Sequence, residues 1–439
     1  MSAMFRSLGI ANFRLWFAGA LVSNIGLWMQ RTAQDWIVLT ELTDNDATAL
    51  GINMGLQFAP QLLLVPWAGL IADRFDRRKL LLITQITMAV LGFALGLVVV
   101  TGVAELWHVY AFSFVLGIVA AIDAPARQAF VSDLVSERDL PNAVSLNSAS
   151  FNTARLIGPA VAGWMTVLVG AGWVMMINGA TYAATVAALL LLNRDALRPR
   201  KRASRSPGQL LQGFRYVRRR PDIMVIMVIV FLLGTFGLNF PIYSSTMASI
   251  EFGVGAGEYG ILSSILAIGS VVGALLAARR ERPRMRIVFA AAGAFGVTLT
   301  VAALMPSYWT FAASLVLVGF ASITLMTTAN GTIQTTTAPA MRGRVMALYL
   351  AIFVGGTPLG APIVGWVADE FGPRWAMGVG AAAGFAGMAV GIVWMVVSRN
   401  LRIRYDSSLR RRFYLSYHGD GRAEAEGDLA FDESVARKA

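Results

Sequence analysis

A chain of 439 residues that is 56% hydrophobic and only 14% charged, with a mean hydropathy of +0.62, lies outside the range of soluble globular domains. The absence of cysteine excludes disulfides, thiolate metal sites and a cysteine nucleophile, and two histidines, His108 and His418, are too few for a metal or catalytic cluster. A formal charge of +12 would suggest nucleic acid in a soluble protein, so the placement of that charge decides its meaning.

Apolar runs of about 20 residues, the length that crosses ~30 Å of hydrocarbon, recur along the chain. They predict helical spans at 13–39, 48–71, 79–101, 107–127, 143–170 and 172–192, then 222–249, 257–278, 286–305, 308–330, 344–368 and 374–398. The fold class is therefore an all-α polytopic membrane protein of 12 transmembrane helices in two pseudo-symmetric six-helix bundles. Arg6 and Arg14 precede a first span that continues past a signal-peptide core, so no cleavable leader is expected. Of the 37 Lys and Arg residues, 34 fall at the termini or in alternate connections, an asymmetry that puts that side and both termini in the cytoplasm and removes nucleic acid as a partner.

The first span carries Arg31 and Asp35, four residues apart on one face, with Trp28, Gln34, Gln30 and Asn24 nearby. A buried charge costs several kcal/mol, so ionisable residues inside spans are candidates for function. Low dielectric favours a protonated carboxyl and a neighbouring guanidinium favours the ionised one, so this pair reads as a proton switch or as a permanent ion pair near the outer end of the helix. Asp123 and Arg127 on the fourth span and Arg155 on the fifth complete the intramembrane charges, all in the first half. Arg155 reads as the ligand of an anionic substrate group, as the alternative partner of Asp35, or as a donor to backbone carbonyls.

Between the second and third spans runs Gly69-Leu-Ile-Ala-Asp-Arg-Phe-Asp-Arg-Arg-Lys79. This stretch resembles the signature loop of the major facilitator superfamily (MFS), Gly-x-Leu-Ala-Asp-Arg-x-Gly-Arg-Arg/Lys, with Asp76 in the place of a glycine. The resemblance implies a cytoplasmic gate of Gly69, Asp73, Arg74, Arg77, Asp123 and Arg127. In that gate Asp73 caps the N-terminal end of a helix from the other half, and Arg77 pairs with Asp123. The matching loop of the second half has Ala277 at the carboxylate position, so the latch is expected to be one-sided. For the basic residues alone, a topology signal is the alternative reading.

Gly158-Pro-Ala-Val-Ala-Gly163-Trp164 is echoed 202 residues later by Gly360-Ala-Pro-Ile-Val-Gly365-Trp366, and Gly117 meets Gly319 at the same offset. This repeat supports two related halves. The domains expected are a bundle over 1–192, a basic linker with an amphipathic helix over 193–221, a second bundle over 222–398 and a largely disordered cytoplasmic tail over 399–439. In the linker, Leu210, Leu211, Phe214 and Val217 share a face while Arg215, Arg218 and Arg219 project elsewhere, which suits a helix on anionic lipid or a basic extension of the next span.

Beyond the loop, Gln30 to Thr40, Pro125, Asn142-Ala143, Asn152-x-x-Arg155-x-x-Gly158-Pro159 and Arg342-Gly-Arg-Val345 resemble the MFS subgroup of the enterobactin exporter and drug:proton antiporters, over residues 1–400. The resemblance implies a monomeric, proton-coupled exporter of an amphipathic small molecule, a drug or siderophore, in the cytoplasmic membrane. It works by alternating access with the proton gradient as energy source and no cofactor. It also implies a cavity lined by the first, fourth, seventh and tenth helices. The candidates there are Trp28, Gln34, Gln57, Asn147, Asn152, Asn239, Tyr243, Met326, Asn330 and Gln334, amide, Met and aromatic groups that suit a bulky amphipathic ligand. Proton coupling is assigned to Asp35, Arg31 and Arg155. An importer of a small solute and an uncoupled lipid flippase share most of these features. An enzyme lacks a catalytic cluster and metal-ligand spacing, and a membrane sensor lacks a soluble module.

Overall fold

The structure, a computed structural model, describes residues 3–197, 209–278, 285–399, 402–405 and 413–416. After a 3-10 segment at Ala3–Gly9 come α1 (Ala11–Thr40), α2 (Ala47–Arg74), α3 (Arg77–Val100), α4 (Leu106–Leu134), α5 (Leu140–Val169) and α6 (Ala171–Leu191). The short α7 (Gln209–Arg218) leads into α8 (Pro221–Leu232), α9 (Phe240–Thr246), α10 (Ala256–Ala278), α11 (Met285–Ala303), α12 (Tyr308–Thr336), α13 (Pro339–Gly355), α14 (Thr357–Phe371) and α15 (Pro373–Arg399). Two four-residue strands, β1 (Arg402–Tyr405) and β2 (Phe413–Ser416), pair antiparallel with Arg402 opposite Ser416, a ribbon that the sequence did not lead us to expect. The expected character of the tail beyond this ribbon, and of the linker over 198–208, lies outside the described residues.

Among the described residues nine helical stretches are long and apolar enough to cross a membrane. The remaining long helices, α1, α2 and α5, have 30, 28 and 30 residues. Helix starts follow local chemistry. Asp46 caps α2 by accepting the Ala49 N–H at 2.7 Å, and Asp76 caps α3 by accepting the Lys79 N–H at 2.8 Å. The departure of Asp76 from the family loop is thus a helix N-cap. Gly170 and Gly372, at φ +87° and +96°, each join two long helices as a single residue, in a region of backbone space open essentially to glycine.

Two predicted spans are interrupted. Between α8 and α9 the chain passes through a π-helical turn at Leu233–Gly237, with a second at Met247–Glu251. Between α13 and α14 it breaks at Gly355–Gly356, ahead of Pro358. The two breaks touch, because Gly356 and Gly360 lie against Thr235 with no room for a side chain.

Within the first half α1 packs on α5 and α6, α2 on α4 and α3 on α6; within the second, α10 packs on α12 and α11 on both α12 and α15. The halves meet chiefly through α2 with α14 and α5 with α10. The sequence repeat is realised in these contacts. Gly163 backs onto Ala256 of α10 and Gly365 onto Ala47 of α2, and Gly158 abuts α1 as Gly360 abuts the turn after α8. Gly117 meets Gln57 of α2 as Gly319 meets Leu266 of α10. Trp164 and Trp366 both turn outward. Small residues set these close approaches, since each backbone carbonyl occupies the space of a Cβ.

Candidate functional site

A cavity of about 710 Å³ lies between α1, α2, α4 and α5, closed behind by Met88 of α3 and Tyr182 of α6. Its wall includes Asn24, Arg31, Gln57, Phe58, Asp123, Arg127, Asn147, Phe151 and Asn152. All of its lining belongs to the first half, where the charges inside predicted spans are also found. Trp28, Gln34, Asn239, Tyr243, Met326, Asn330 and Gln334 are not among its lining residues.

The reasons differ along the second half. Asn239 stands at the break after the π-helical turn, where its Nδ2 donates to the Thr235 carbonyl at 2.8 Å and satisfies an acceptor freed by the interruption. Tyr243 is fully buried and its hydroxyl donates to the Phe236 carbonyl. Met326 packs beside Tyr349, and Gln334 donates to Asn330 at 2.6 Å along α12. Gln34 is likewise buried away from the cavity, donating to Asn53 and Ser113 in a polar cluster that ties α1 to α2 and α4.

Asp123 is 5% exposed and accepts from Thr84 at 2.7 Å, from Gln85 at 2.8 Å and from Arg127 Nε at 3.1 Å. Its charge is neutralised on its own helix and fixed by α3. Arg77 therefore does not pair with Asp123. It binds Asp133 with both contacts through one nitrogen, at 2.7 and 2.9 Å. The expectation failed because the fourth span was ended at residue 127, whereas α4 continues to Leu134 and brings Asp133 to the start of α3. Arg74 is exposed. The side chain of Asp73 and the surroundings of Gly69 lie outside the described residues.

Arg31 and Asp35 do not form an ion pair. Arg31 instead lies over Trp28 at 5.3 Å and over Phe58 at 5.5 Å, and Arg155 lies over the same Trp28 at 5.7 Å. Asp35 lies beside Tyr259 of α10, across the boundary between the halves, with Arg31 of its own helix near enough to act on it through space. Trp36, the next residue, stacks on the Tyr259 ring at 5.7 Å. Tyr259, Asp133, Thr84 and Gln85 were missed by sequence reasoning. A tyrosine inside an apolar run was the one available signal, because a buried phenol requires a hydrogen-bond partner.

The family model for transmembrane secretion effectors, a branch of the major facilitator superfamily, matches residues 2–407. The staphyloferrin A transporter of Staphylococcus aureus (strain NCTC 8325 / PS 47) is 24% identical over 399 residues, 90% of this chain and 98% of that protein. The enterobactin exporter EntS of Escherichia coli O1:K1 / APEC is 25% identical over 395 residues, 89% and 92% of the two chains. Among solved structures, a bacterial homolog of the human lysosomal transporter Spinster in an inward-facing, unoccupied conformation superposes with a TM-score of 0.67 at 16% identity, covering 87% of this chain and 95% of that one. A POT family transporter in complex with a thioalcohol-conjugated peptide gives 0.70 at 13% identity, with the same coverage. The chain belongs to the transmembrane secretion effector family of the major facilitator superfamily, a family of membrane transporters and not of enzymes.

Proposed function

We propose that this member of the transmembrane secretion effector family is a proton-coupled exporter of an amphipathic small molecule, of the siderophore type named for both relatives or a drug-like compound. It acts as a monomer in the cytoplasmic membrane, with twelve spans formed by the nine apolar stretches together with α1, α2 and α5. The face bearing the basic loops is cytoplasmic, and so are both termini. Alternating access rocks one six-helix unit, residues 1–192, against the other, residues 222–398. One charge moving down 100 mV supplies ~2.3 kcal/mol, enough for roughly a fortyfold gradient.

The observation that carries this reading is the seam of α1 against α10, where Trp36 stacks on the Tyr259 ring at 5.7 Å with Asp35 beside it. A carboxyl on α1 of one half lies beside a hydroxyl on α10 of the other, so separation of the halves changes the surroundings of that carboxyl. Protonation and rocking then become one equilibrium. Arg31 acts on Asp35 through space and stands in the cavity wall, and Arg155 shares the Trp28 ring with it.

Export of a catecholate siderophore from cells expressing wild type or Asp35→Asn, with and without a protonophore, tests the reading, and cationic ethidium serves as the comparison. Wild-type export that the protonophore abolishes, and that Asp35→Asn loses while still binding the compound, is the expected result. Equal export by Asp35→Asn removes Asp35 as the coupling group, and uptake in place of efflux favours an importer.

A further inference from the structure

We propose that Trp28, Arg31 and Arg155 form a subsite for a carboxylate or similar oxyanion carried on an apolar body, the end by which the cargo is anchored. The exporter reading supplies the transport of that cargo; its binding stands on the geometry alone.

Two guanidinium groups lie against one indole ring, at 5.3 and 5.7 Å from its centroid. Neither has an ion-pair partner within 4.0 Å nor a hydrogen bond among the described residues. The carboxylates nearby make no ion pair with either guanidinium. Asp35 reaches Arg31 only through space, and Asp123 accepts from Thr84, Gln85 and Arg127. The cluster therefore holds an excess of positive charge inside a membrane protein. Two donors in it, Arg31 Nε and Trp28 Nε1, are buried without an acceptor.

Magnitudes decide what this arrangement requires. A cation over an aromatic face gains about 0.5–2 kcal/mol. Removing an uncompensated charge from water costs several kcal/mol, and the two guanidinium groups also repel each other. Aromatic contact alone leaves a deficit. An oxyanion bridging Arg31 and Arg155 removes it, and the fork of N–H groups on each guanidinium matches the two oxygens of a carboxylate. Arg31 and Phe58 are in the cavity wall, and Phe151 of the same wall packs edge-on against Trp28 at 5.8 Å. An aromatic or aliphatic body fits beside the anion, whereas a cationic cargo meets repulsion.

The test is binding of 1-naphthaleneacetate and its neutral isostere 1-naphthaleneacetamide to the full-length protein in lipid nanodiscs, with no proton gradient. The acid is expected to bind the wild type about tenfold or more tightly than the amide, as one charge-assisted contact implies. Arg31→Gln and Arg155→Gln are each expected to bring the acid to the affinity of the amide, and Arg155→Lys, which keeps the charge, to preserve most of the preference. Equal affinity of acid and amide in the wild type, no binding of the acid, or a preference intact in both Gln variants overturns the proposal. Because the assay needs no gradient, loss of the anion preference leaves proton-coupled export standing, and failure of the Asp35 experiment leaves the subsite standing.

Discussion

Asp369, in the last turn of α14, holds Thr48, in the first turn of α2: its carboxylate accepts the Thr48 N–H at 2.8 Å and the Thr48 hydroxyl, and also the Ala47 N–H at 2.7 Å. A carboxylate is disfavoured at the C-terminus of its own helix and favoured at the N-terminus of another. Its position is explained by the helix it caps, which belongs to the other half of the chain. The family resemblance implies a cap of this kind for Asp73, on the face with the basic loops. Asp369 makes one from the second half on the opposite face, at a position unrelated to Ala277.

Asp369→Ala is expected to loosen that face. Loss of a capping carboxylate costs about 1–2 kcal/mol, a factor of roughly 5–30 in the balance between closed and open forms. The absence of native cysteine makes the measurement direct. Asn45 and Ser249 hydrogen-bond across the same boundary. Asn45→Cys with Ser249→Cys is expected to crosslink readily in the parent and several-fold more slowly with Asp369→Ala. An unchanged rate removes the latch.

Arg77 and Asp133 make the second testable pair. Their side chains are 16% and 9% exposed, so Arg77→Ala strands a buried carboxylate at a cost of about 3–5 kcal/mol. Thermal unfolding in detergent is expected to show a marked loss for Arg77→Ala and recovery of more than half of it in Arg77→Ala/Asp133→Ala. A double variant as poor as the sum of the singles means the two groups are not coupled.

The pairing error shows what was legible and what was not. Long apolar runs announced the helices, because nothing but a helix satisfies its backbone in hydrocarbon. Their ends were hidden wherever polar residues continue the helix, as Arg127 and Asp133 do in α4. The interruptions after α8 and α13 were hidden for the opposite reason, since both segments remain apolar through the break. Intramembrane charge located the cavity in the first half, but side-chain partners depend on rotation and depth. Asp35 is therefore paired from sequence with Arg31 of its own helix, which acts on it only through space, while Tyr259 of α10 lies beside it unannounced.

Close glycine approaches predict opposite signs for the same kind of change. Gly365→Val drives a side chain into the backbone of Ala47 and is expected to cost about 1–3 kcal/mol through overpacking. At Gly343, in α13, a Cβ would meet nothing within 4 Å, and Gly343→Ala is expected to stabilise by ~0.5–1 kcal/mol through helix propensity. Differential scanning fluorimetry separates the two. A destabilised Gly343→Ala, or a neutral Gly365→Val, contradicts the packing described.

Asn239 and Asn152 were both cavity candidates, and the structure assigns them different work. Asn239 is 1% exposed and its amide closes a carbonyl at the α8 break; Asn152 is exposed in the cavity wall, its amide donating to the Ser148 carbonyl one turn back. Asn239→Ala leaves the Thr235 carbonyl without its donor, at about 1–3 kcal/mol, and is expected to lower thermal stability while leaving ligand affinity unchanged. Asn152→Ala removes a solvated amide and is expected to leave stability within about ±0.5 kcal/mol while changing affinity for any ligand that occupies the cavity. Paired melting and binding measurements decide the matter, because an Asn239 that contacts substrate gives the reverse pattern. That reversal would require the second half to contribute directly to the binding surface, and would move the site from the first-half cavity to the boundary between the halves.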